Sequence, residues 1–303
     1  MIPVAALAAR FQPPILGHGT LLAQALALAP RVAVGLLGAG EARSARHPFS
    51  EEERVEMIRR SVPAGEAGRI TFVPLDAYDS ASRQRALLAE SLGSDTEICF
   101  LEGPVHGEAE ARQALYEGDP ALRDRVAPGV LDLLEAWRAT PHFAILQEEY
   151  RALLAGRERW GSGPFVTLDA MVTCLGHLLL VRRGRCPGKG LWALPGGFLE
   201  PQEFLLDGAL RELREETGLD LGPLAWDLRG VRVFDHPERS QRGRVITHVH
   251  HFTLESPVLP GVKGADDAAE ARWVPLGGLP AMAGQFFEDH FHIITGLLSG
   301  AAS

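Results

Sequence analysis

Residues 197 to 219 carry the pattern Gly-x5-Glu-x7-Arg-Glu-Leu-x-Glu-Glu-x-Gly-Leu, with every position filled. This stretch constrains the chain more than any other, because it must form a loop that runs into one amphipathic helix. On a helix each residue advances by about 100°. With Glu212 at zero, Glu216 falls at roughly +40° and Glu215 at roughly −60°, so the three carboxylates share one arc. Leu206, Ala209, Leu210 and Leu213 fall beside them, at roughly +60° to +160°, and supply a packing face. Gly218 suits the stop.

Three clustered carboxylates repel one another unless a cation neutralises them. Hard divalent cations prefer carboxylate oxygens. Glu212, Glu215 and Glu216 are therefore candidate catalytic residues and ligands for Mg²⁺ or Mn²⁺, with Gly196 beside them. Arg211 stands one turn before Glu215 and can orient it by an i,i+4 pair. Gly196 and Gly197 let the backbone approach a metal or a phosphate closely. A solvated acidic helix face would account for three glutamates alone, but not for a pattern filled at every position.

The chain has 303 residues, enough for two domains of about 150 each. Apolar residues make up 46% and charged residues 23%, the balance of a globular protein. The longest apolar runs, such as Leu26–Pro30 and Val32–Leu37, are far shorter than the ~20 residues that span a bilayer. No basic n-region leads an apolar run at the N-terminus, so a cytoplasmic protein with no membrane partner is expected. Cys99, Cys174 and Cys186 match no zinc spacing and suit a reducing compartment. A net charge of −9 disfavours nucleic acid as a partner. It does not disfavour a phosphate-bearing substrate when a metal ion bridges the like charges.

In the first half, strands are expected at Pro3–Ala9, Arg31–Leu37, Arg69–Leu75 and Thr96–Leu101, and helices at His18–Leu28 and Ala81–Leu92. Ser50 with Glu53 makes a capping box for another helix, to about Ser61. Such alternation predicts a parallel sheet with covering helices. Ala127–Gly156 reads as helical with a break near Thr140–Pro141, and Gly161-Ser-Gly-Pro164 as a boundary. The second half changes to strands at Phe165–Thr173, His177–Arg182, Leu191–Leu194, Arg229–Phe234, Val245–Leu254 and Ala271–Pro275. Its helices are expected at Phe204–Thr217 and Gly284–Thr295. The predicted domains are residues 1–137, a helical linker 138–161, and residues 162–303.

From about Phe165 onward the chain resembles the Nudix hydrolase family, whose box has the pattern above. The resemblance implies a loop–helix–loop in which Glu212, Glu215 and Glu216 hold the metal. It leaves open which carboxylate is the general base. Phe165–Ala170, Pro187–Phe198, Arg239–His248, Gly264–Ala268 and Trp273–Pro275 are similar to a narrower group. These are the two-domain proteins that join a nicotinamide mononucleotide adenylyltransferase to an ADP-ribose pyrophosphatase. That implies hydrolysis of ADP-ribose, or a related nucleoside diphosphate, to AMP and ribose 5-phosphate. Arg239, Arg242 and Arg244 are candidates to meet the pyrophosphate with bidentate donors, unless they are only a charged hairpin. Gly197 and Glu203 are assigned to substrate binding with them. His248, His250 and His251 lack a further ligand at matching spacing. Trp192 reads as core rather than as a base-stacking ring.

Arg10-Phe-Gln-Pro13, Gly17-His18, Ser44-Ala-Arg46, Pro48–Ser50 and Glu53-Arg54 resemble the nucleotidyltransferase half of the same proteins, over roughly residues 3–125. The expected fold is thus a Rossmann-like α/β nucleotidyltransferase domain followed by an α+β Nudix domain. The family's paired histidines are reduced to His18, because Ile15 occupies the first position and can neither donate nor carry charge. Its hydroxyl-rich phosphate motif is reduced to Asp119-Pro-Ala-Leu-Arg123, where Arg123 alone matches. The resemblance implies an adenylyltransferase domain that has lost its activity, with His18 and Arg123 as the remnant of a nucleotide site. A bifunctional enzyme and an ADP-ribose-sensing regulator are the alternatives, and a homodimer is the family's expectation.

Overall fold

The computed structural model describes residues 3–93, 96–103, 105–222 and 224–300. They form two compact units that divide between Tyr150 and Arg151. In the first, β1 (Val4–Ala9), α1 (Leu16–Leu28), β2 (Arg31–Leu37), α2 (Glu51–Arg60), β3 (Ile70–Leu75), α3 (Ala81–Leu92) and β4 (Ile98–Phe100) alternate. The four strands are parallel, in the order β3-β2-β1-β4. A sheet covered on both faces needs apolar residues at successive positions, which is why β1 and β2 read as continuous apolar runs. The order reverses direction between β1 and β4, and a crevice opens beyond their carboxyl ends at that point.

The capping box of α2 forms in full: Glu53 N donates to Ser50 Oγ at 3.3 Å and Ser50 N to Glu53 Oε2 at 2.9 Å. Helices α4 (Glu108–Glu117), α5 (Pro128–Trp137) and α6 (Pro141–Trp160) follow. The expected break at Thr140–Pro141 separates α5 from α6. Helix α4 has no counterpart in the sequence expectations. It stops at the left-handed Gly118, but its N-cap is Gly107 with no side-chain cap, so no capping side chain announces its start.

The second unit contains β5 (Phe165–Cys174), β6 (His177–Arg183), β7 (Trp192–Ala193), β8 (Gly196–Phe198), α7 (Leu205–Thr217), β9 (Trp226–Phe234), β10 (Val245–Leu254), β11 (Ala268–Pro275) and α8 (His290–Leu298). Its mixed sheet runs β11-β6-β5-β10-β9, with β7 on β6 and β8 on β5. The turn at Leu175-Gly176 has φ of 46° and 72°, the paired positive values of a two-residue hairpin. Strand β5 changes partner along its length. Thr173 and Cys174 pair with β6, whereas Thr167, Leu168 and Asp169 pair with β8. Strand β6 likewise leaves β5 and pairs with β7 through Val181 and Arg182. The strands therefore splay apart at one end, and a cleft opens there.

The helix expected at Gly284–Thr295 is corrected by the structure. Leu276–Gln285 is a 3₁₀ segment, and α8 begins only at His290. Phe286 and Phe287 are 1% and 2% exposed and enter different core clusters. Neighbours on opposite faces require extended backbone. Phe286 bridges to Trp192, Phe287 N donates to Trp192 O at 2.8 Å, and Glu288 turns the chain at φ 47°. Trp192 itself is core, 5% exposed. No helix among the described residues is long and apolar enough to cross a membrane.

Candidate active site

Helix α7 buries Ala209 and Leu213, and Leu206 and Leu210 pack beside Leu213 against the β5 side of the sheet. Its carboxylate face is organised by one side chain. Arg211 Nε and Nη2 donate to the two oxygens of Glu203 at 2.8 and 3.0 Å. Its Nη1 reaches Glu212 Oε1 at 2.8 Å and Glu215 Oε2 at 3.0 Å, and Nη2 also reaches Phe198 O at 3.2 Å. The i,i+4 pair with Glu215 is thus one of five bonds, and Glu203 serves as the anchor of the guanidinium.

The glycines are set by close approach. A Cβ on Gly197 would stand 2.3 Å from Glu212 Oε1, and one on Gly196 would stand 2.5 Å from Asp169 Oδ1. Gly208, inside the seven-residue gap of the box, would meet Leu168 Cδ1 at 2.2 Å. Gly197→Ala is therefore expected to push the Glu212 carboxylate aside. Turnover should fall by about 10²-fold with little change in melting temperature, since a displacement near 1 Å at a reacting centre costs about that much. Steady-state kinetics beside a thermal melt checks this, and unchanged turnover would refute it.

Glu216 is 7% exposed and accepts Gly196 N–H at 3.0 Å. Burial pushes its carboxyl up to about 8, Glu212 adds to the rise, and the Gly196 amide opposes it. Burial also raises Glu212, against the pull of Arg211. Glu216 lines a cleft together with Asp169, Arg183, Arg239, Arg242, Phe287 and His290. Asp169 lies on β5 and accepts the hydroxyl of Thr247 on β10; burial raises its carboxyl, and Arg239 opposes the rise.

The three arginines expected at a pyrophosphate divide. Arg242 lines the cleft, 5.3 Å over the Phe198 ring, with Glu288 3.6 Å away. Arg239 also lines it, but its Nε and Nη2 are committed to Asp289 at 2.9 Å each, and both side chains are 3% exposed. Arg244 lies outside the lining and pairs with Asp235. Arg183, absent from the sequence expectations, lines the cleft 4.2 Å over the Phe287 ring. Asp169, Thr247, Asp289 and His290 were also missed. For Asp169 and Thr247 the available signal is a charged or hydroxyl residue inside an apolar strand, which demands a buried partner, whereas Asp289 and His290 stand at the start of α8 and carry no such signal.

Among the described residues, no three His, Cys, Asp or Glu side chains converge closely enough to hold a metal ion. Arg211 draws Glu212 and Glu215 to itself. The donors nonetheless fit a hard divalent cation. They are oxygens, and the charge of Glu212 acts on the buried Glu216 carboxyl. His251 instead contacts Thr173 Oγ1 at 3.4 Å.

In the first unit, His18, Arg85, Phe100, Glu102 and Glu108 line a cavity beyond β1 and β4. His18 Nδ1 accepts Ile15 N–H at 3.2 Å, its ring lies 4.5 Å from Phe11, and burial lowers its pKa to about 4. The Glu108 carboxylate takes the Gln12 N–H. Arg123 is exposed and outside this lining, so the structure does not bring it to His18.

Residues 167–295 match the family described as NUDIX domain, and residues 7–98 the one described as Cytidylyltransferase-like. An ADP-ribose pyrophosphatase of Methanocaldococcus jannaschii is 40% identical over 132 residues, 43% of this chain and 71% of its own length. An m7GpppN-mRNA hydrolase of Bos taurus is 33% identical over 58% of this chain and 61% of its own length. The crystal structure of a bifunctional NMN adenylyltransferase/ADP ribose pyrophosphatase from Francisella tularensis, complexed with AMP and Mn ion, matches with a TM-score of 0.86. It is 28% identical and covers 100% of both chains. The chain belongs to the Nudix hydrolases, in the two-domain arrangement where a cytidylyltransferase-like domain precedes the Nudix domain.

Proposed function

We propose that this enzyme hydrolyses the pyrophosphate of ADP-ribose to AMP and ribose 5-phosphate, with Mg²⁺ as its working ion. The observation that carries this is the composition of one cleft: the Glu216 carboxyl of α7 lines it beside Gly196 and Gly197, together with the guanidinium groups of Arg183 and Arg242. A diphosphate is the ligand class that needs both. The similarity to an ADP-ribose pyrophosphatase supports the choice among diphosphates.

Glu212, Glu215 and Glu216, with the backbone of Gly196, would hold the cation. When bound, it supplies polarisation of a phosphoryl oxygen and a lowered pKa for water. Arg211 keeps Glu212 and Glu215 oriented and opposes the rise that burial gives the Glu212 carboxyl. Glu216 holds a proton near neutrality in the metal-free protein. Arg183 and Arg242 lie over the Phe287 ring, which shields one side of each from water and strengthens their pull on phosphoryl oxygens.

The first domain is read as inactive in adenylyl transfer. Ile15 is buried where the family pattern has a histidine, and the Glu108 carboxylate, held on the Gln12 amide, adds negative charge to the cavity that a phosphate would enter. The test incubates the full chain with Mg²⁺ and ADP-ribose and follows AMP by chromatography, with nicotinamide mononucleotide plus ATP in a second arm. AMP release and no dinucleotide formation are expected. Turnover of a different diphosphate would replace the substrate, and formation of NAD would restore the bifunctional alternative.

A further inference from the structure

We propose that His290 positions the substrate, its Nε2–H donating to a phosphoryl oxygen of the diphosphate. The inference rests on the cleft being the diphosphate site. His290 opens α8, is 6% exposed and lines the cleft. Its Nδ1 accepts the backbone N–H of Leu194 at 3.2 Å. A ring nitrogen that accepts carries no hydrogen, so the hydrogen of the neutral ring sits on Nε2. That donor meets no acceptor among the described residues, yet it is not sealed off inside the protein.

A donor placed in a cleft without a protein acceptor is a binding feature waiting for one. The surroundings select the acceptor. Arg239, Arg183 and Arg242 all act on the ring, so an anionic oxygen is the group this region attracts. Burial and the same three guanidinium groups keep the imidazole uncharged. His290 thus adds direction rather than charge: one N–H in a fixed orientation, held by a backbone amide of the strand region that leads into Gly196 and Gly197.

Two substitutions separate this role from a structural one. His290→Asn retains an acceptor near the Nδ1 position for Leu194 N–H and removes the donor into the cleft. His290→Gln does the reverse. The Asn variant is expected to melt within a few degrees of the parent while kcat/KM for ADP-ribose falls about 10- to 100-fold, mostly through KM. The Gln variant should melt lower yet recover kcat/KM to within about fivefold of the parent. An Asn variant within twofold of the parent overturns the proposal, as does activity that simply follows melting temperature in both variants. Calorimetric titration of the same proteins with inorganic pyrophosphate guards against a wrong substrate. If ADP-ribose is not turned over at all, weaker pyrophosphate binding in the Asn variant alone still supports His290, and unchanged binding refutes it.

Discussion

Glu216→Gln lowers the rate of AMP release from ADP-ribose by about 10³-fold and leaves the protein folded. Gln fills the same volume and still offers an oxygen to Gly196 N–H, so the bond at 3.0 Å survives. What disappears is the carboxylate. The substitution also reads out the pH linkage. Burial holds the folded-state pKa of Glu216 at about 8, above the ~4.3 of an unfolded glutamate. The stability it contributes is therefore complete below the unfolded value and is lost as pH rises through about 8. The metal-free parent should lose melting temperature across that window, and the Gln variant, which cannot ionise, should lose less. Mg²⁺ needs the ionised carboxylate, so it should stabilise the parent more on the alkaline side of the window than at mildly acidic pH. Melting curves at several pH values, with and without Mg²⁺, together with kcat for both proteins, decide the matter. A variant within tenfold of the parent, or a parent whose melting temperature is flat over the window, would refute the assignment.

Arg239→Met costs about 3–5 kcal/mol of stability, because it leaves Asp289 buried without its cation. Both side chains are 3% exposed and share two hydrogen bonds of 2.9 Å, and Glu288 and Asp169 add negative charge nearby. For a unit of this size the melting temperature should fall on the order of 10 °C. Burial already raises the Asp289 carboxyl to about 6 despite Arg239. Without the guanidinium it rises further, so the loss should be larger at pH 8 than at pH 5, where the acid escapes by taking a proton. Adding Asp289→Leu should restore most of the stability. A single variant that melts like the parent but loses only substrate affinity would instead make Arg239 a phosphate ligand, the role its sequence context suggested.

The legible parts of this protein are those whose signals lie within one segment. Strand β10 could be bounded at both residues, and α7 to within one, because period 2 and period 3.6 are local patterns closed by local stops. The cleft is different. Asp169, Arg183 and His290 come from β5, β6 and α8 and meet only after β5 exchanges one partner for another. Each looks unremarkable in its own segment. Arg211 shows the same limit inside the box: spacing identified its bond to Glu215, whereas its grip on Glu203 depends on how the loop before α7 folds back. Phe286 and Phe287 were read as helix because two adjacent apolar residues fit either period, and only the two core clusters they enter settle the choice.

The run from Phe287 to His290 supplies an aromatic platform, the partner of Arg242, the partner of Arg239 and the imidazole donor in four consecutive residues. The acidic helix, by contrast, is complete some seventy residues earlier in the chain. During synthesis the catalytic signature and the three arginines of the cleft are finished before the residues that hold those arginines in place exist. A premature stop, a frameshift or a proteolytic cut just after Gln285 would preserve every letter of the signature, and Arg183, Arg239 and Arg242 with it, while removing the Phe287 ring, the Asp289 carboxylate and the His290 donor that complete the cleft. Such a product would be counted as an enzyme by any search for the pattern, although its arginines would have lost the ring and the carboxylate that hold them in the cleft.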